Sequence, residues 1–147
     1  MAEFETPTDL VHNNALIPDP AAFAQENAAA SWLYLCGDEF AAMDGGMSYA
    51  DVEASVAESE NLIADPPHDF DMDVARRGVA ALDRLPRPTL VTCRTGPRSS
   101  ALIYLYAGLR SGASADDVLA RAEADGAPFA QAPPLREWVA QGLRELS

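Results

Sequence analysis

The sequence predicts one α/β domain with a mainly parallel central sheet flanked by helices. Three observations lead there. Short apolar or β-branched runs alternate with helix-spaced segments along the chain. The run Trp32-Leu33-Tyr34-Leu35-Cys36 is continuously apolar, as a strand buried on both faces is. At 147 residues and 48% hydrophobic, the chain is long enough for one core and too short for two ordinary domains. The expectation is a single domain over residues 1–147, with residues 1–19 as a polar arm.

The arm carries one apolar patch and a predicted short edge strand at Leu10–Ile17. Asp19-Pro20 starts a helix, with Asp as cap and Pro in the first turn, running through the alanines to about Ala30. Gly37 stops the strand that ends in Cys36, and Gly45-Gly46 marks a turn. Ser48 with Asp51 resembles a capping box, opening a helix to about Ser59. Asn61-Leu62-Ile63-Ala64 is predicted as a short strand that Asp65-Pro66-Pro67-His68-Asp69 breaks into a loop. Asp71 or Asp73 caps the next helix, with Val74, Val79, Ala81, Leu82 and Leu85 inward, and Pro86 and Pro88 close it.

Thr89-Leu90-Val91-Thr92-Cys93 is a β-rich strand, and Ser99–Arg110 an apolar helix ended by Gly112. Ser114 with Asp117 caps a further helix that Gly126 stops. Pro133-Pro134 begins the last helix, with Leu135, Trp138, Val139 and Leu143 as its buried stripe.

Ten basic residues face 23 acidic ones, for a net charge of −13, and all ten are arginine. This argues against nucleic acid or an anionic membrane as partner, since both need a basic face. No apolar run is long enough to span a bilayer. The start, Met1-Ala2-Glu3-Phe4-Glu5, is acidic and lacks the basic, then apolar, pattern of a signal peptide, which points to the cytoplasm. An anionic substrate is repelled at long range, so an anion site here must be local and preorganised. GxGxxG and P-loop patterns are absent, and no organic cofactor is implied. His68 among Asp65, Asp69 and Asp71 is the one metal-like composition, too thin a donor set to assign a metal.

The chemistry is carried by Cys93-Arg94-Thr95-Gly96-Pro97-Arg98-Ser99, a strand that ends in Cys and passes through a short Gly-containing loop into a helix. Loop amides and the helix N-terminus converge on one point and stabilise an anion or a thiolate there. Cys93 is then the nucleophile. Gly96 supplies the tight turn, and Arg98 can hold an oxyanion through two parallel hydrogen bonds. Ser99, at or near the helix cap, can donate to the thiolate. Cys36 ends an apolar strand with no arginine beside it and is assigned a structural role.

This loop resembles the active loop of the β-lactamase-hydrolase-like, phosphatase-like domains, which often have Cys-Arg-Ser-Gly-Thr-Arg-Ser. The resemblance runs from about Ile63 to Gly126. It implies a fold like that of tyrosine and dual-specificity phosphatases, and fused members of that family act as sulfur transferases. Rhodaneses share a Cys-Arg-x-Gly-x-Arg loop, but in them a different pattern of strand and helix usually comes after it.

Four residues, Arg94 to Pro97, separate Cys93 from Arg98. The tyrosine phosphatase signature has one more, and usually a His where Thr92 stands here. A narrower loop suits a persulfide sulfur better than a phosphoryl group. The leading expectation is therefore a sulfurtransferase, in which Cys93 takes sulfur from thiosulfate or a small persulfide and passes it to a thiol. The alternative is a phosphatase working on a phosphate ester through a phosphocysteine, with Asp65 first and Asp69 next as general acid. The third reading is an anion- or phospho-binding protein without turnover.

Overall fold

Among the described residues four strands all run parallel, in the order β1-β4-β2-β3: β1 is Leu10–His12, β2 Ser31–Tyr34, β3 Glu58–Asn61 and β4 Thr89–Thr92. Val11, Leu90, Trp32 and Ser59 form one row across the sheet. This is a computed structural model; it describes residues 4–64 and 69–147. Central β2 and β4 are buried at every position, whereas the edge strands are only partly covered. That explains why the central strands were legible as apolar runs and polar β3 was not.

Among the described residues seven helices accompany the strands: α1 Pro20–Glu26, α2 Asp38–Ala41, α3 Tyr49–Ser55, α4 Met72–Arg84, α5 Pro97–Ser111, α6 Ala115–Asp125 and α7 Pro133–Leu146. A 3-10 turn, Pro128–Gln131, precedes α7. Right-handed crossovers place α1 and α3 on one face of the sheet and α4 on the other. The packing agrees, since α1 lies on α3 while α4, α6 and α7 gather round α5. Helix α5 is buried from Ser99 through Leu105, and the core runs from Phe4 to Leu143. No helix among the described residues is long and apolar enough to cross a membrane.

The predicted caps are made. Asp19 accepts the Ala22 N–H, Asp71 that of Val74, and Ser114 that of Asp117. Ser48 and Asp51 form a reciprocal capping box.

Several boundaries move. The edge strand predicted over Leu10–Ile17 ends at His12, because the Asn13 side chain bonds the Ala15 carbonyl and turns the chain. Strand β3 starts three residues before the predicted Asn61, with Leu62 and Ala64 still donating to Tyr34 and Leu35 as the ladder runs out. Helix α1 stops at Glu26, and Ala28 takes a left-handed φ of 50° to lead into β2. Helix α3 ends at Ser55, because β3 opens at Glu58. Helix α5 begins at Pro97 rather than Ser99, so Ser99 lies in its first turn and Gly96 is its cap. Neither α2 nor the 3-10 turn has a periodic signal at four residues.

Candidate active site

All four strands point their carboxyl ends at one edge, the place where open α/β sheets bind ligands. Cys93 leaves that edge directly after β4 and is 3% exposed. Its Sγ sits inside the loop that begins there. The Gly96 N–H donates to it at 3.2 Å and the Ser99 N–H at 3.4 Å, with the Ser99 hydroxyl also at 3.4 Å. Three donors thus converge on the one sulfur. The sequence-predicted Cys93, Gly96 and Ser99 therefore form one unit.

Gly96 makes the turn possible. Its φ is +114°, a left-handed conformation that strains any other residue. Pro97 takes the first helical position, where a missing N–H costs nothing. Thr95 is exposed at the loop tip. Ser100 bonds the Pro97 carbonyl and accepts the Phe129 N–H, tying the 3-10 turn to the start of α5.

A further residue, Asn13, is one the sequence reading missed. It is 3% exposed and reaches across from the end of β1. Its Oδ1 accepts the Cys93 N–H at 3.3 Å and the Ser99 hydroxyl at 3.2 Å. Its Nδ2 donates to the Cys93 carbonyl at 3.1 Å and the Arg94 carbonyl at 3.2 Å. The available signal was a polar amide just past a strand whose neighbour ends in the nucleophile.

The two loop arginines are held by aromatic rings. Arg94 lies over Phe40 at 5.6 Å and touches the Met43 sulfur at 3.5 Å. Arg98 lies over Phe70 at 5.2 Å and donates to the Ala64 carbonyl. Stacking engages the flat face of a guanidinium, and its N–H groups at the edge can still turn to an anion. Eight arginines outside the loop each lie within ion-pair distance of a carboxylate. Phe70 is itself packed on Trp138 with ring centroids 4.2 Å apart, and the Trp138 indole donates to the Asp71 carbonyl. Helix α7 thereby supports the perch of Arg98.

Between the arginines opens a cavity of about 300 Å³, lined by Cys93, Arg94, Thr95, Pro97 and Arg98 and walled by Ala132, Pro134 and Leu135. A cysteine sulfur, two cations and a partly apolar wall in one hollow suit a small anionic group on an organic carrier.

Of the candidate acids, Asp65 lies outside the described residues, as does His68. Asp69 is exposed and stands next to Phe70. Asp71 is committed to capping α4. Cys36 is fully buried, and its backbone carbonyl accepts from the Asn61 side chain. Neither cysteine is in a disulfide.

No family model and no curated protein matches the chain. Solved structures do. Over 97% of its length it is similar to a candidate phosphatase of Neisseria meningitidis Z2491, at TM-score 0.70 and 18% identity, covering 99% of that chain. It is also similar to the core catalytic domain of the PP-IP phosphatase SIW14 of S. cerevisiae, solved with citrate: TM-score 0.64, 13% identity, 97% of this chain and 83% of that one. PTPMT1, solved with PI(5)P, gives TM-score 0.59 and 12% identity over 99% of this chain and 95% of its own. The protein has the phosphatase-like fold that the resemblance of its loop implied.

Proposed function

We propose that this protein is a cysteine-dependent phosphatase acting on a small anionic phosphate ester. The observation that carries the reading is the Cys93 sulfur, ringed by the Gly96 and Ser99 donors at the floor of a cavity flanked by Arg94 and Arg98. The fold neighbours support it, and phosphoryl transfer, the second of the sequence's readings, therefore comes first here.

In this mechanism the Cys93 thiolate attacks phosphorus, the ester P–O bond breaks, and a phosphocysteine forms. The leaving oxygen takes a proton from a general acid, for which Asp65 is the first candidate and Asp69 the second. Arg98 turns from the Ala64 carbonyl to the phosphoryl oxygens, and the loop amides hold the rest of the charge. Water then attacks phosphorus and gives its proton back to the same carboxylate, the S–P bond breaks, and the sulfur leaves as a thiolate with the Ser99 hydroxyl beside it. Inorganic phosphate is released.

Sulfur transfer is the second reading, favoured by the four-residue spacing between Cys93 and Arg98. One experiment tests both. The reduced protein is incubated separately with p-nitrophenyl phosphate and with thiosulfate, then quenched and weighed intact, with Cys93→Ser as control. Nitrophenol release with a phosphoryl adduct on wild type alone supports the phosphatase. A sulfur adduct from thiosulfate, with no ester hydrolysis, replaces it with the sulfurtransferase. Neither adduct leaves the non-catalytic anion-binding reading.

A further inference from the structure

We propose that Asn13 is a positioning residue for the nucleophile, acting on Cys93 through the hydroxyl of Ser99. Ser99 has one hydroxyl proton and three acceptors within reach: Asn13 Oδ1 and the Gly96 carbonyl, both at 3.2 Å, and Cys93 Sγ at 3.4 Å. One proton serves one acceptor at full strength. When the sulfur is neutral or carries a transferred group, the amide oxygen is the better acceptor. When the sulfur is a thiolate, the charge-assisted bond to it is stronger. Asn13 thus parks the hydroxyl beside the sulfur and yields it when negative charge appears there.

The amide cannot turn over to undo this. Its oxygen end meets the Cys93 N–H, and its nitrogen end meets the carbonyls of Ala15, Cys93 and Arg94. A flipped amide would set donor against donor and acceptor against acceptor. The side chain is nearly fully buried, so water does not compete for these groups.

The proposal rests on Cys93 being the nucleophile, and it holds whether that sulfur carries a phosphoryl group or a second sulfur. The test is a double-mutant cycle on the full chain. The second-order rate of Cys93 alkylation by iodoacetamide, in which the thiolate displaces iodide, is read by peptide mass mapping at one fixed pH. Wild type, Asn13→Ala, Ser99→Ala and the double variant are compared, each first shown to be folded by thermal unfolding. Asn13→Ala is expected to slow alkylation about tenfold in wild type, and less than about threefold when Ser99 is already Ala. Should Asn13→Ala not fold, Asn13→Leu, which fills a similar volume and has no acceptor for the Ser99 hydroxyl, takes its place. Equal slowing in both backgrounds overturns the proposal. A wild-type Cys93 that reacts no faster than buried Cys36 overturns the nucleophile itself, and the proposal with it.

Discussion

Gly96 and Asn13 are in such close contact that a β-carbon on Gly96 would lie 2.2 Å from the Asn13 carbonyl oxygen. The backbone at Gly96 also sits at φ +114°. Gly96→Ala therefore has to move either the loop or the end of β1. It should destabilise the fold by about 1–3 kcal/mol and remove activity. Gly112→Ala is the comparison, also at positive φ (+70°) but with nothing within 4 Å of the added carbon. Its cost should be about 1–2 kcal/mol with turnover retained. Thermal unfolding and turnover of the two variants, side by side, check this. Full activity in Gly96→Ala would mean that the loop has room to relax.

The two cysteines should separate cleanly. Cys93→Ser is expected to bring turnover to background, because a serine hydroxyl stays protonated where a thiolate forms. Cys36→Ser should leave turnover nearly intact while costing about 1–3 kcal/mol, since it places a hydroxyl where the chain is fully buried. Steady-state rates and denaturant unfolding of both variants decide it. Equal inactivity would show that Cys36 belongs to the chemistry.

Arg98→Lys preserves charge but loses the fork that grips two oxygens, and an ammonium stacks less well on Phe70. We expect kcat to fall about 10²-fold, the scale of a lost oxyanion donor. Phe70→Leu should weaken the perch without removing the cation, giving a smaller loss seen mainly in KM. Kinetics on one aryl phosphate would test the ordering, and Arg98→Lys at wild-type kcat would remove Arg98 from the transition state.

A pH signature comes from a carboxylate cluster outside the loop. The Tyr104 hydroxyl donates to Asp125 at 2.6 Å, and Thr6 and Arg121 bind the same carboxylate. Burial, then the bond to Asp125, pushes Tyr104 up to about 12. For Asp125, burial works upward but the bonds from Tyr104, Thr6 and Arg121 outweigh it, and the carboxyl is lowered. Tyr104 is raised, so its contribution is complete below about pH 10 and is lost as pH climbs towards 12. Asp125 is lowered, so its contribution is complete above about pH 4 and is lost as pH falls further. Tyr104→Phe should therefore flatten the alkaline limb and soften the acid one. Urea unfolding across pH measures both, and an unchanged alkaline limb would place the loss elsewhere.

The sequence was most informative where burial or a cap left a chemical mark. Trp32 to Tyr34 and Thr89 to Thr92 are buried on both faces, and so read as strands. Asp19, Ser48, Asp71 and Ser114 announce their helices through side chains that do the capping. Strand β3, with Glu58 and Glu60, lies at the sheet edge, where polar residues are tolerated and periodicity fades. At the site, the contiguous residues from Cys93 to Ser99 were legible as one loop. Asn13, Phe40, Phe70 and Leu135 reach it only through tertiary contacts, so no local pattern could name them.

The bond between the Cys93 amide and Asn13 joins residues 80 positions apart, and the one between Ser99 and Asn13 spans 86. Neither can form in a nascent chain until residues 93 and 99 have left the ribosome, and both pay for closing a long loop before they gain anything. The Cys93 sulfur therefore gains its Asn13-linked surroundings only with the same long-range closure that pairs β1 with β4. A copy without that closure lacks the bonds that tie Asn13 to the Cys93 amide and the Ser99 hydroxyl. Labelling of Cys93 could thus serve as a stopwatch for completion of the native state.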